Sequence, residues 1–270
     1  MNKVFNKSST DMSEVADNSV DLIITSPPYY NVKDYSCGQG NLENDLGCNA
    51  SYEEYISGML LVWKECFRVL RPAGKLCINV PLMPISKKEL NTHNARHIFD
   101  LQSDIQHSIL QGTPFYLYDL YIWNRINSHK QLMFGSYPYP ATFYSQNTSE
   151  FITIYIKDGE SKKVSQEIKE SSALTQKEWV VFTRHIWNIP IPMQNEIGYK
   201  QHPALMPKEI AYRLIKMFSF VNDVVLDCFA GSGTTLAVAN TLKRQYIGYE
   251  LYKDYAKIAE YKAKTATSLF

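Results

Sequence analysis

Val224-Val225-Leu226-Asp227-Cys228-Phe229-Ala230-Gly231-Ser232-Gly233-Thr234-Thr235 decides the fold. The apolar run at its start reads as a short buried strand. The glycines that follow permit positive φ and let a ligand come close to the backbone. The Ala- and Leu-rich stretch from Thr234 to Leu242 reads as a helix whose first turn points free N–H groups at that ligand. The next strand, Tyr246 to Tyr249, ends in Glu250, an acid placed to accept hydrogen bonds from ribose hydroxyls. Strand, glycine turn, helix, strand is the unit of a Rossmann-like α/β sheet.

The same stretch narrows the ligand. In the dinucleotide fingerprint G-x-G-x-x-G the third glycine would fall at Leu236, so that motif fails. No G-K-[ST] is present, so a phosphate-cradling loop fails too. A nucleoside without a pyrophosphate fits better, and S-adenosylmethionine is the common one. The alternative is a tight strand-to-helix turn serving some other Rossmann-like protein.

A second strand end lies far upstream. Val20, Leu22, Ile23 and Ile24 form an apolar run that enters Thr25-Ser26-Pro27-Pro28-Tyr29. Proline fixes φ, lacks an N–H, and pushes the residue before it out of the helical region, so the strand must stop. The stop leaves one hydroxyl, carbonyl oxygens outside any ladder and an aromatic ring at a strand's carboxyl end, where open α/β sheets bind ligands. Serine Oγ and a peptide carbonyl both accept from an NH2 group. The inventory suits holding an exocyclic amine while a ring stacks on the attached base. A strand-ending turn with a buried tyrosine is the alternative.

Around these anchors the chain reads as one domain, residues 1–270. Lys3 to Phe5 is a short strand, and Ser8 to Asp11 offers N-caps for a short helix over Met12 to Ala16. Residues 31–50 lack periodicity and read as a loop able to close over the site. Ser51 with Glu54 forms a capping box, and Tyr55, Met59, Val62, Trp63, Phe67 and Leu70 recur at helical spacing. Arg71-Pro72-Ala73-Gly74 ends that helix, and Lys75 to Val80 is a strand; this βαβ unit implies a parallel sheet. A helix follows over about Asn94 to Gln111, then strands Phe115 to Trp123 and Glu150 to Lys157; the sheet as a whole is expected to be mostly parallel with an antiparallel edge strand. Asp158 to Thr175 reads as a charged, mobile connector, and Pro207 opens a helix that buries Ile210, Leu214, Ile215 and Phe218.

Composition excludes several classes. The chain has 270 residues, 45% hydrophobic, enough for a sizeable core. Its net charge of +1 does not advertise nucleic acid, so a DNA ligand requires basic residues gathered on one face. From Leu120 to Ser149 there is no Asp or Glu, while Trp123, Arg125, His129, Lys130, Phe134, Tyr137, Tyr139, Phe143 and Tyr144 are interleaved. That pattern suits a nucleic-acid face; a long surface loop that merely lacks acids is the other reading. The five cysteines show no C-x-x-C pair or zinc spacing, as in a reduced cytosolic protein. No signal-peptide core and no run near the ~20 apolar residues of a membrane span is present. A cytoplasmic location follows as an expectation.

Ser26-Pro27-Pro28-Tyr29 together with Asp227 to Thr235 resembles the bacterial DNA amino-methyltransferases, and the order, catalytic motif first, is similar to their beta group. Asp17 to Ile24 resembles that family's approach to the catalytic turn, Arg68 to Gly74 its helix-to-strand link, and His202-Pro203-Ala204-Leu205-Met206-Pro207 its cofactor-side motif. The resemblance covers almost the whole chain. It implies a Rossmann-like S-adenosylmethionine-dependent fold with permuted motif order, mostly parallel with an antiparallel strand. It implies that Ser26 and the Pro27 carbonyl accept from the target amine, Pro28 shapes the turn and Tyr29 stacks on a base flipped out of double-stranded DNA. Phe229 would pack on the cofactor adenine, Gly231 and Gly233 would admit its methionine part, Asp227 would meet its amino group, and Glu250 its ribose. Ala230, Ser232 and Thr234 belong to the same turn, and His202 and Ser8 join the cofactor side. Met206 stands where the family often has Lys, and Ser8 where it often has Asp.

The implied product is S-adenosyl-L-homocysteine, and no metal is called for. Serine at the first motif position is commoner in N4-cytosine enzymes, and Asp or Asn in N6-adenine enzymes; N4-cytosine is favoured and N6-adenine stays open. An RNA or protein amide methyltransferase and a non-catalytic DNA-binding regulator are weaker alternatives. Base-reading loops are expected within 84–148 and 158–185. A cognate restriction endonuclease is a possible partner. Monomer and homodimer remain equal options, and the host is bacterial or archaeal, with the protein at the nucleoid when on DNA.

Overall fold

In a computed structural model the chain is described over residues 2–30, 45–48, 51–85, 97–128, 134–192 and 205–266. The elements run β1 (Lys3–Phe5), β2 (Val20–Thr25), α1 (Tyr52–Val69), β3 (Leu70–Pro81), β4 (Met83–Ile85), β5 (His97–Phe99), α2 (Leu101–Gly112) and β6 (Phe115–Asn124). They continue with β7 (Ser149–Lys157), α3 (Gln166–Ser171), α4 (Gln176–Phe182), β8 (Ile186–Asn188), α5 (Lys208–Phe218), β9 (Val224–Asp227), α6 (Thr234–Thr241), β10 (Gln245–Tyr249) and α7 (Lys253–Thr265). Eight strands form one sheet in the order β1-β10-β9-β2-β3-β7-β6-β8, and β4 pairs with β5 in a separate ribbon.

Both faces of the sheet are covered, which explains the near-continuous apolar strands. Ile23 of β2 packs with α1 and α2 through Met59, Val62, Trp63, Ile105 and Ile109. Its neighbours Leu22 and Ile24 point to the other face, where Ile210, Leu214, Leu236 and Ala259 from α5, α6 and α7 meet them. The α1 helix begins with one half of the expected capping box: the Ser51 hydroxyl accepts from the Glu54 N–H at 3.1 Å.

All pairings in the main sheet are parallel except those of β7, which runs antiparallel to both β3 and β6. The reversed strand is therefore interior, correcting the expected antiparallel edge. The cause is the connection: among the described residues between β6 and β7 there is no helix, β7 turns back antiparallel to β6, and β8 then closes the outer side of β6. Register fixes which loops share an edge. Pro81 and Trp123 both pair with Glu150, so the ends of β3 and β6 and the start of β7 lie at one edge, with Thr25 close by. Residues 125–148 leave at that carboxyl edge. The segment after Lys157 leaves at the opposite, amino edge.

Three local expectations fail for stated reasons. Met12 to Ala16 is not helical: the Met12 N–H donates to Glu65 Oε2 at 2.8 Å and the Met12 carbonyl accepts from Arg68, so long-range bonds replace a helical ladder. The helix placed over Asn94 to Gln111 starts at Leu101, where Asp100 caps it, and β5 occupies the preceding residues. The charged connector holds α3 and is pinned: Lys162 Nζ reaches Asp21 Oδ1 at 2.6 Å and also Asp223 Oδ1. Most of the 31–50 loop lies outside the described residues. Among the described residues no helix is long and apolar enough to cross a membrane.

Candidate active site

The two strand ends singled out above meet because β2 and β9 are neighbours: Leu22 pairs with Val225 and Ile23 with Leu226. A side-chain bond seals the join, with Thr25 Oγ1 donating to Asp227 Oδ1 at 2.8 Å in a buried setting. At the carboxyl edge opens a cavity with about 920 Å3 of empty space. Its wall carries Ser26, Pro27, Pro28 and Tyr29 from one turn and Asp227, Phe229, Ala230, Gly231, Ser232 and Thr234 from the other, with Glu250 and Ser8 beside them.

The catalytic turn is held from behind. The Tyr55 hydroxyl donates to the Pro28 carbonyl at 2.9 Å. Tyr30 packs edge-on against Tyr52, which stacks on Phe99 at 4.2 Å between ring centroids. Ser26 Oγ donates its proton to the Asn79 carbonyl at 3.0 Å, so the hydroxyl meets anything in the cavity as an acceptor. Its other neighbour is the Tyr29 hydroxyl at 3.4 Å. Among the described residues no hydrogen bond goes to the Pro27 carbonyl.

On the cofactor side both acids are buried and their backbone partners are known. Glu250 accepts from the Gly231 N–H at 2.8 Å and the Tyr252 N–H at 2.9 Å, one on each oxygen. Burial pushes its carboxyl up to about 7 against the pull of those two N–H groups. Burial likewise pushes Asp227 up to about 6, although the Thr25 hydroxyl and the Phe229 N–H favour its charged form. Each Glu250 oxygen accepts one of these bonds and keeps a lone pair, while both Asp227 bonds fall on Oδ1, so hydroxyl and ammonium groups can still dock at Glu250 and at Asp227 Oδ2. Phe229 is set edge-on against Trp63, 6.5 Å between ring centroids, which fixes its ring at the cavity wall.

The glycine turn differs from its sequence reading. The Ala230, Gly231 and Gly233 N–H groups are engaged with Tyr249, Glu250 and Ala230 inside the protein, so the turn admits a ligand by shape more than by a row of free donors. Gly231 takes φ 51° and lines the cavity. Gly233, at φ 79°, does not line it; a Cβ there would sit 2.6 Å from Ala259 Cα. Its glycine is required by the close approach of α7, whatever it also does for the cofactor. His202 lies outside the described residues. Met206 does line the cavity, uncharged where Lys is common.

Several wall residues gave no local signal. Asp45 and Leu46 sit in an aperiodic stretch, yet the Tyr252 hydroxyl donates to Asp45 Oδ2 at 2.5 Å and both residues line the cavity. Tyr252 and Tyr255 come from the start of α7, one strand end beyond Glu250. Only the topology brings these segments together.

Residues 20–261 match the DNA methylase family of N6 and N4 amino-methyltransferases. The chain belongs to that family. It is 31% identical to the type II methyltransferase M.MjaI of Methanocaldococcus jannaschii, covering 93% of this chain and 87% of the relative. It is 26% identical to the DNA adenine methyltransferase YhdJ of Escherichia coli, over 92% of this chain and 77% of the relative. Among solved structures, a modification methylase of Thermus thermophilus in complex with S-adenosyl-L-methionine superposes with TM-score 0.78 at 30% identity, covering 98% of this chain and 95% of that one. The fold is thus that of an S-adenosylmethionine-dependent methyltransferase, the cofactor is S-adenosyl-L-methionine and the substrate is DNA. The methyltransferase's cavity suits that cofactor: an aromatic ring for a base, two buried acids, and a glycine that leaves room for a chain.

Proposed function

We propose that the methyltransferase acts on the exocyclic N4 amine of a cytosine flipped out of duplex DNA. The observation that carries this reading is the state of Ser26. Its proton is committed to the Asn79 carbonyl, so beside the Pro27 carbonyl it offers two acceptors to an NH2 group. Bound S-adenosylmethionine supplies a methyl group on a positively charged sulfur, a strong leaving group. The amine nitrogen attacks that methyl carbon in line, the carbon–sulfur pair stays on sulfur to give S-adenosyl-L-homocysteine, and one amine proton leaves toward solvent. The protein's share is positioning: Ser26 and Pro27 aim the nitrogen, and Tyr29 stacks on the extruded ring. On the other side Phe229 packs on adenine, Glu250 accepts from the ribose, and Asp227 meets the ammonium.

A neutral serine in place of an ionised acid favours cytosine on family resemblance. N6-adenine is the second reading, and the likeness to the adenine enzyme YhdJ favours it. Base reading falls to residues 125–148, which leave the sheet at the same edge as Ser26 and expose Tyr137, Tyr139 and Phe143 to 71%, 74% and 81%. The kinship with type II methyltransferases also suggests a cognate restriction endonuclease in the host.

The test is to incubate the protein with tritiated S-adenosylmethionine and unmethylated bacterial DNA, then digest and separate nucleosides. Label in N4-methylcytosine is expected. Label in N6-methyladenine would transfer the same site to the adenine reading, and a cofactor-bound protein that leaves DNA unlabelled would overturn both.

A further inference from the structure

A buried polar chain runs from the catalytic turn to the roots of the 125–148 loop. Ser26 Oγ donates to the Asn79 carbonyl, and the Asn79 side-chain amide donates to Glu150 Oε2 at 2.6 Å. The other oxygen, Glu150 Oε1, accepts from Arg125 at 3.2 Å. The second arm of Arg125 reaches the Asn147 carbonyl, and Asn147 Nδ2 ties back to the Leu82 carbonyl at 2.7 Å. Backbone closes the ring, with Arg125 N–H donating to the Thr148 carbonyl at 2.8 Å. Asn79 and Glu150 are only 4% and 6% exposed.

This is a costly arrangement for mere packing. A buried carboxylate and guanidinium lose much of their hydration, and replacement by apolar residues of similar volume is often neutral or favourable. The chain has two notable ends. One is the group that sets the direction of the Ser26 hydroxyl. The other is the pair of residues, Arg125 and Asn147, at which the exposed aromatic loop joins the sheet.

We propose that Asn79, Glu150 and Arg125 are positioning residues that hold the Ser26 hydroxyl in its acceptor orientation and tie that orientation to the seating of Arg125 and Asn147, where the segment between β6 and β7 joins the sheet. The inference rests on the reading of Ser26 above. Glu150 is the member of the chain that accepts from both sides: Asn79 Nδ2 on one oxygen, Arg125 on the other. A Gln at 150 keeps the volume but must turn an NH2 group toward one of two donors, so one link breaks. Lys at 125 keeps the charge but lacks the planar fork that grips Glu150 and Asn147 together.

The experiment measures turnover on unmethylated bacterial DNA, and S-adenosylmethionine affinity by equilibrium dialysis, for E150Q, R125K, S26A and the double variant S26A/E150Q. E150Q is expected to lower kcat about 10- to 100-fold, the range for misplacement of a reacting group from outside the chemistry, with cofactor affinity within about twofold. R125K, the milder change, is expected to fall in the same direction and serves if E150Q fails to fold. Because the chain acts through Ser26, adding E150Q to S26A should cost less than about threefold more. Multiplicative losses in the double variant, or E150Q and R125K turning over like the wild type beside an impaired S26A, would overturn the proposal. A wild-type rate for S26A itself would instead overturn the reading of Ser26 on which it stands.

Discussion

The segments on either side of β7 carry opposite signatures and face opposite ends of the sheet. Residues 125–148 contain no acid; their described part leaves at the carboxyl edge and turns the rings of Tyr137, Tyr139 and Phe143 outward. Residues 158–185 are rich in charge, leave at the amino edge and are anchored through two of those charges: Lys162 on Asp21 and Asp223, Glu178 on Tyr212 and Lys216. Charge density in a connector therefore marks neither mobility nor a ligand face. What separates the two is the edge at which they leave and the two anchors, Lys162 and Glu178, that tie the second to the body of the protein. A loop that holds its own backbone, as Ser136 does with the carbonyls of Tyr139 and Pro140, and leaves its rings unpacked is shaped for a partner outside. Base-reading loops were expected within 84–148 and 158–185; of these, the residues that leave β6 start at the same edge as Ser26, and those that follow Lys157 start at the opposite one.

The largest effect should come at the carboxyl edge. Ser26→Ala is expected to lower kcat roughly 100-fold, the scale of losing one preorganised hydrogen-bonding group, with an unchanged melting curve by calorimetry. The mirror experiment sits at the amino edge. Asp21 is buried and accepts from Lys162 and the Val224 N–H, so Asp21→Ala should cost about 2–4 kcal/mol in urea unfolding while S-adenosylmethionine affinity holds. Equal loss of affinity and stability in either variant would dissolve the distinction between the edges.

Proton linkage sharpens it. In the free site Glu250 and Asp227 titrate at about 7 and about 6, and a cationic cofactor favours their charged forms. Binding must therefore release protons below those values, and affinity should weaken as pH falls, by roughly tenfold per pH unit for each proton released. Calorimetric titration between about pH 8 and about pH 5.5, a window bracketing both carboxyls, in buffers of different ionisation heat would show this, and a flat profile would remove both acids from the cofactor contact. Smaller effects belong to the loops. Phe143→Ala is expected to raise the KM for DNA about tenfold, as for one lost stacking contact, without touching cofactor affinity. Trp179→Ala, equally a loss of an exposed ring at 63%, should leave that KM within about twofold; a matching loss would return the connector to candidacy.

Much of this was legible in sequence because local signals and tertiary need agree at the strand ends. The Pro-Pro stop, the glycine turn and Glu250 are each placed by short-range rules, and all line one cavity. Gly233 also has a packing duty the local pattern could not announce, since its empty side faces α7. Asp45 was missed for the same reason, since its partner Tyr252 lies far along the chain. The place of β7 was half legible: a helix-free link between strands announces an antiparallel turn, but nothing local says that β8 will cover β6 and leave β7 inside. The failed helix at Met12 shows propensity yielding to Glu65 and Arg68, residues of another element.

The pairing of β2 with β9 has a consequence for synthesis. The turn at Ser26 leaves the ribosome long before the one at Gly231, a wait of roughly 10–40 s at ordinary elongation rates of ~5–20 residues per second. Until β9 arrives, β2 presents an apolar, unpaired flank, the kind of surface that recruits stray strands. Every intermediate length of this polypeptide therefore carries half a site and an open seam. Chaperone occupancy on stalled nascent chains should peak in that interval and drop once the glycine turn has emerged.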